Sequence, residues 1–478
     1  MNAPAVNRQT RARVWVLATA GIVAALMQTL VVPLIGHLPD MLDTTAADAA
    51  WAVTATLLAG AVATPVTGRL GDLYGKRRML LVCCVPLIAG SVVCALSAGS
   101  LATMVTGRAL QGMGMGVVAL GISALRDLVP PDRVGPSIAL ISSSLGVGSA
   151  LGLPFASVVA EHADWRILFW TAAVLSAVVT LLIHRVIPPT PITAASRSYD
   201  LVGALGLGGG LVCLLLGVSK GATWGWGSPA VLVLLAAAPL VLGAWTWWEL
   251  RTEAPLVDVR VTARPLILTT NAASVIVAFA MYASPLLMPQ LLQLPQETGH
   301  GLGQSMTAAG LWMAPAGLMM MTISPLGARL SAATSPKITL IGGSCVIALG
   351  YGLSPLLIER PWGVLAVACV CNAGVALAYG AMPALIMRGV PVSQTASANS
   401  FNTLLRSVGT TIAAAVIGMV LAQETEPYGD GRVPTEAGFT TALLLACGAA
   451  LVAAAVALTI PLRKAPASHP KQHSEEPA

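Results

Sequence analysis

The stretch Gly68–Arg78 reads GRLGDLYGKRR and lies between two apolar runs, 49–68 and 79–98, each near the ~20 residues a helix needs to cross a bilayer. An acid, a turn-forming Gly and a basic cluster are thus set at a junction between two spans. Asp72 has two readings here. It can meet a basic residue or a helix terminus across the bundle and hold one conformational state, with Gly68, Gly71 and Gly75 allowing close backbone approach. Alternatively, the segment is an ordinary loop rich in positive charge.

Working outward, the same apolar length recurs at 14–35, 101–125, 135–160, 166–187, 201–218, 229–248, 266–290, 305–327, 338–357, 361–386, 398–422 and 439–462, giving fourteen expected spans. The composition agrees: 56% of residues are hydrophobic and 10% are charged, where a soluble domain carries roughly 25% charged. Aromatics are 5%, so the apolar content is mainly Ala, Leu, Val and Gly, as in close-packed membrane helices rather than a β-barrel. The net charge of +6 does not point to nucleic acid, because the basic residues lie in short loops. The even number of spans puts both termini on one side, and 20 of the 26 Lys and Arg fall on that side, which predicts that it is the cytoplasm, in a multi-pass protein of the cell membrane.

The polar connections 188–200 and 249–265 bracket two of the runs, which predicts an N-terminal six-helix bundle (1–188), an inserted helix pair with its loops (189–264), a C-terminal six-helix bundle (265–462) and a disordered cytoplasmic tail (463–478). The basic start leads into a full-length apolar run without a small-residue cleavage site, so no cleavable signal is expected. The eight Cys lie in apolar runs without paired CxxC spacing and read as packing residues; no metal site or cofactor is expected.

Two basic residues, Arg108 and Arg406, fall inside spans, and all twenty Asp and Glu fall in loops, tails or helix ends. An intramembrane Arg costs at least ~2.5–3.5 kcal/mol, which favours a role in coupling or translocation for Arg108, with Gln111 beside it, and for Arg406. In the fifth span, Gly146, Gly148, Gly152, Ala156 and Ser157 offer a close-packing face that Pro154 can bend. Candidate walls for a midplane cavity are Gln28, Asn271, Tyr282, Gln290, Asn372 and Tyr379, with Met281, Met313 and Met319–Met321 as adaptable apolar surface.

The 68–78 stretch resembles the signature loop of the major facilitator superfamily through Gly68, Leu70, Asp72, Gly75, Lys76 and Arg77. The corresponding loop of the second half keeps Gly327 and Arg329 but has no acid matching Asp72. Arg108, Gln111 and Gly112 resemble that superfamily's fourth-helix motif, which is associated with proton-coupled members. Gly148, Gly152 and Pro154 resemble the antiporter motif of exporters, with Pro displaced by one and Ala156 and Ser157 standing where two Gly align. With SFNTLLRSVGTTIAAAVIG around Arg406, the chain resembles the fourteen-spanner drug:proton antiporter branch.

The resemblance implies a monomeric secondary transporter, embedded in lipid, that exports small hydrophobic or amphiphilic compounds such as drugs, antibiotics and natural products by proton antiport. A gradient-independent facilitator, an importer of a small organic solute and a transporter-like sensor are the alternatives. An enzyme is disfavoured because no nucleophile elbow, HExxH or phosphate-binding Gly loop is present. Members of that branch often carry an Asp in the first span, where this chain has Ala24, Gln28 and Thr29. Arg does not release its proton under ordinary conditions, so coupling needs another group. Asp40, Asp43, Asp48, Asp72, Asp127 and His184 are the candidates.

Overall fold

In the computed structural model, residues 3–31, 34, 38–49, 51–97, 99–190, 192, 198–428 and 431–461 are described. The segment 463–478, read as a disordered tail, lies outside them. Among the described residues, thirteen helical spans are long and apolar enough to cross a membrane.

The long helices are α1 (Ala3–Thr29), α2 (Trp51–Tyr74), α3 (Lys76–Ala95), α4 (Leu101–Met113), α5 (Gly116–Leu128), α6 (Pro131–His162), α7 (Arg166–Val186), α8 (Leu201–Trp224), α9 (Pro229–Glu249), α10 (Pro265–Gln293), α11 (Met306–Ala333), α12 (Pro336–Gly352), α13 (Pro361–Gly389), α14 (Thr395–Gln423) and α15 (Glu436–Leu458). Helices α4 and α5 form one span that tightens at Gly114 and Met115, whose N–H groups reach back only three residues, to Gln111 and Gly112.

Two local features depart from the expected runs. The stretch 338–357 splits into α12, of 17 residues, and a turn of helix at Ser354–Leu357. Pro355 lacks the N–H that would continue the ladder, and the Ser354 hydroxyl caps the Tyr351 carbonyl at 2.6 Å. At 17 residues α12 stands at the short limit of ~17–25 for a span. Between α14 and α15, Thr425–Tyr428 and Gly431–Pro434 pair as a small antiparallel sheet in place of an all-helical connection.

Apolar residues of α1–α7 form one core and those of α10–α15 another. The two meet along two seams. In the first, α6 lies against α11 through small residues: a Cβ at Gly317 would come within 2.7 Å of the Gly146 carbonyl, and Ser324 donates to the Ala139 carbonyl at 2.6 Å. Lipid supplies no hydrophobic drive for helix association, so close backbone approach and interhelical hydrogen bonds hold such a contact. The second seam joins α2 to α14. Helices α8 and α9 pack on each other and cover this seam from outside, with Leu207, Leu211 and Leu215 against Ala61, Leu404 and Val408. At the far end Lys220 is 2% exposed and lies 4.3 Å from the Trp51 ring. The expected run 201–218 stops short of Lys220 and leaves it in a loop, whereas α8 runs on to Trp224.

A side chain bonds into the backbone of α10. The Tyr351 hydroxyl donates to the Ala280 carbonyl at 2.8 Å and accepts from the Ser284 amide at 3.0 Å, a carbonyl and an amide four residues apart on that helix. Pro285 and Pro289 follow directly. Tyr351→Phe is expected to destabilise the protein by about 1–3 kcal/mol, the cost of an unsatisfied buried polar group. Thermal unfolding in detergent reads this as a lowered Tm, and an unchanged Tm would show that the hydroxyl contributes nothing to holding α10.

Candidate functional site

Two polar centres lie between the helices. At the end of the bundle where the basic loops gather, α2 delivers Asp72, which is fully buried. Its carboxylate accepts from the backbone amides of Ala396 at 3.2 Å and Ser397 at 2.9 Å. These are among the first amides of α14, which have no acceptor within their own helix, and the positive end of the helix dipole adds to the attraction. Asp72 therefore caps a helix of the other core. Gly68, one turn earlier, allows the approach, since a Cβ there would come within 2.9 Å of the Ala396 carbonyl.

Around this joint, Arg126 donates to Thr395 Oγ1 at 2.8 Å, and Asn399 reaches Ser123 Oγ at 3.3 Å. Lys76 and Asp127 form a buried ion pair at 2.7 Å, which accounts for Asp127. Gly75 takes a positive φ of 91° between α2 and α3. Arg77 turns the other way: its amide donates to Thr190 Oγ1 and its Nη2 to the His184 carbonyl at 2.7 Å, so it stays within its own core.

Deeper in the first core, Arg108 is 2% exposed and engaged on several sides. Its Nε donates to the Ala52 carbonyl at 3.0 Å, and its Nη1 to Gln111 Oε1 at 2.7 Å and the Met27 carbonyl at 3.4 Å. Gln111 passes the network to Ser91 Oγ at 2.8 Å. One guanidinium thus ties α1, α2, α3 and α4 together. Arg406, 4% exposed on α14, differs: its Nη2 donates to Thr403 of its own helix, its Cζ lies 4.2 Å from the centre of the Tyr379 ring, and Nε and Nη1 have no acceptor.

The other sequence-derived candidates divide. Tyr379 joins Arg406, while Asn271 is locked by Asn402 at 2.8 Å. Gln28 is exposed and donates to the Met115 sulfur. Tyr282 and Asn372 are half-buried, the latter bonded to its own helix at Ala368. Gln290 stands in the last turn of α10, exposed and bonded to Leu286, so it sits at a rim rather than at midplane. Gly148 and Gly152 bring α6 onto α1 at Ile22 and Thr29, and Pro154 faces Gly310 of α11.

Sequence reading passed over a third cluster. Asp200 caps α8 through the Gly203 amide and accepts from the Trp248 indole at 3.1 Å; Glu249, the last residue of α9, accepts from the Trp245 indole at 2.9 Å. The two carboxylates face each other across Gly203, where a Cβ would meet both. Glu249 is 2% exposed, and its Oε2 has no hydrogen bond. The only signal in the sequence was an acid at each end of the inserted pair.

Two outcomes follow. Arg108→Ala leaves several buried acceptors unmet and is expected to lower Tm by several degrees in detergent, whereas Arg108→Lys recovers part of the loss. Asp72→Asn removes the charge from the α14 terminus. In a background without the native cysteines, a cysteine at half-buried Ala398 is expected to react with maleimide several-fold faster in that variant, and an unchanged rate would show that the charge does not hold the joint.

The whole arrangement can be set beside known proteins. The chain is 29% identical over 412 residues to an uncharacterized MFS-type transporter of Mycobacterium tuberculosis, an alignment covering 83% of this chain and 57% of that protein. The chain thus spans little more than half the length of that relative. It is 26% identical over 425 residues to the tetracenomycin C resistance and export protein of Streptomyces glaucescens, covering 86% and 77%. Its fold matches that of the proton:xylose symporter XylE with a TM-score of 0.66 at 13% identity, covering 95% and 96%. Residues 17–414 match the family model of the Major Facilitator Superfamily, and the chain, a multi-pass helical membrane protein, belongs to that superfamily of transporters.

Proposed function

We propose that the protein is a secondary exporter of small hydrophobic or amphiphilic compounds, working as a monomer by alternating access and driven by proton antiport. In this reading it has fourteen spans, six plus an inserted pair plus six, with α12 as a short eleventh. The basic end and both termini face the cytoplasm, as the preference of Lys and Arg for that side favours, and the membrane is the cytoplasmic membrane.

The observation that carries the reading is the Asp72 cap on α14. A single carboxylate on two backbone amides joins the two halves at the basic end, and such a contact can break as a unit when the halves rock. Export, rather than import, is favoured by the antiporter-type close packing at Gly148, Gly152 and Pro154 and by the relative whose name records resistance and export.

The proton needs a group that can release it. We assign this role to Glu249 with Asp200, because they bring two buried carboxylates together and Glu249 keeps one oxygen unbonded. The segment that follows the pair reaches the joint. Following α9, Leu256 accepts from Ser397 Oγ at 3.0 Å and Asp258 from Gln394 at 3.1 Å, both at the start of α14.

In inverted membrane vesicles, collapsing the pH gradient is expected to abolish uphill movement of the neutral fluorescent probe N-phenyl-1-naphthylamine. Glu249→Gln is expected to do the same while leaving downhill exchange within about twofold. Uphill movement that survives collapse would remove proton antiport, and movement only down the probe's own gradient would make the protein a facilitator.

A further inference from the structure

The two membrane arginines are not equivalent. Arg108 spends its N–H groups on fixed acceptors of α1, α2 and α4, as a structural knot does. Arg406 has one hydrogen bond, to a hydroxyl of its own helix, and two N–H directions with no acceptor. A guanidinium stays charged under ordinary conditions, so burial cannot be relieved by losing the proton. The face of Tyr379 offsets part of the cost, by about 0.5–2 kcal/mol for such contacts. Among the described residues no carboxylate stands within ion-pair distance of it.

Its position narrows the ligand. Arg406 lies eleven residues into α14, about 16 Å along the axis at ~1.5 Å per residue, which is too deep for a lipid headgroup. It continues the stripe of Thr395, Asn399 and Asn402. Asn399 meets Ser123 of the other core, and Asn402 is fixed to Asn271 and Ser274 of α10. Two turns beyond the last of these bonds to the other core, the stripe ends in a cation backed by an aromatic ring.

We propose that Arg406, with the Tyr379 ring over its charge, is the docking point for an anionic group, a carboxylate or sulfonate, carried on an aromatic or otherwise apolar body. The body would displace or stack on Tyr379, and the anion would take the open N–H groups. This rests on the transport reading above and names its substrate class.

Two fluorescent probes differ by one sulfonate: 8-anilinonaphthalene-1-sulfonate and the neutral N-phenyl-1-naphthylamine. With purified full-length protein, Arg406→Gln is expected to weaken binding of the sulfonate about tenfold or more while moving the neutral probe less than twofold. Arg406→Lys should recover part of the sulfonate affinity. Removing an unmet buried charge should leave Tm unchanged or raised, where a structural arginine would give a lower Tm and equal losses for both probes. Equal losses, or an unchanged sulfonate affinity, would overturn the proposal. So would full displacement of the sulfonate by millimolar chloride, which would make this a site for small inorganic anions. Failure of N-phenyl-1-naphthylamine export in vesicles bears on the transport reading alone, since the contrast between the probes is read by binding.

Discussion

A bilayer core offers polar groups no water, so each buried charge in this protein must be answered by protein atoms or by whatever the protein binds. The structure divides along that line. Arg108 is answered by three helices and holds the first core together, and Asp72 is answered by the amides of α14 and joins the two cores. Arg406 and Glu249 are answered only in part. The satisfied charges are the framework, and two of the incompletely satisfied ones carry the proposed binding of ligand and proton.

The two seams between the cores differ in kind. Along α6 and α11 the contact is made largely by small residues, Gly146, Ala150 and Gly317, with hydrogen bonds from Ser324 to the Ala139 carbonyl and from Thr307 to the Glu161 carboxylate. Along α2 and α14 it is polar and concentrated at the basic end, where the Asp72 cap, the Arg126 bond to Thr395 and the loop carrying Leu256 and Asp258 converge on one turn of helix. That difference gives the inserted pair a physical reason to be where it is. Helices α8 and α9 cover the polar seam, and their connection to α10 bonds directly to the start of α14.

Much of this was legible in the sequence, because bilayer thickness sets span length and positive charge collects in loops on one side. The runs 49–68 and 398–422 fall on α2 and α14 for that reason. Asp72 and Gly68 stood out as an acid and a small residue at a junction. Their partners were hidden, since the Ala396 and Ser397 atoms that meet Asp72 are backbone amides, and a sequence does not mark which helix end will be brought near. Arg108 and Arg406 looked alike as charges in spans; only three-dimensional neighbours separate a satisfied guanidinium from an open one. Asp200 and Glu249 read as ordinary charges at helix ends because nothing local signals that the inserted pair folds them together. Tyr351, an unremarked aromatic in an apolar run, gave no sign that its hydroxyl would bond to the backbone of α10.

The most direct measurement is the distance between spin labels at the basic ends of α2 and α14, placed at exposed Tyr74 and Val392, in full-length protein in lipid. On lowering the pH or adding saturating transported probe, the distribution should shift between a short population, with the Asp72 cap made, and a longer one. Labels at the opposite ends of the two cores should move in the reverse sense. A single short distance unchanged by pH and by probe would contradict alternating access through this joint.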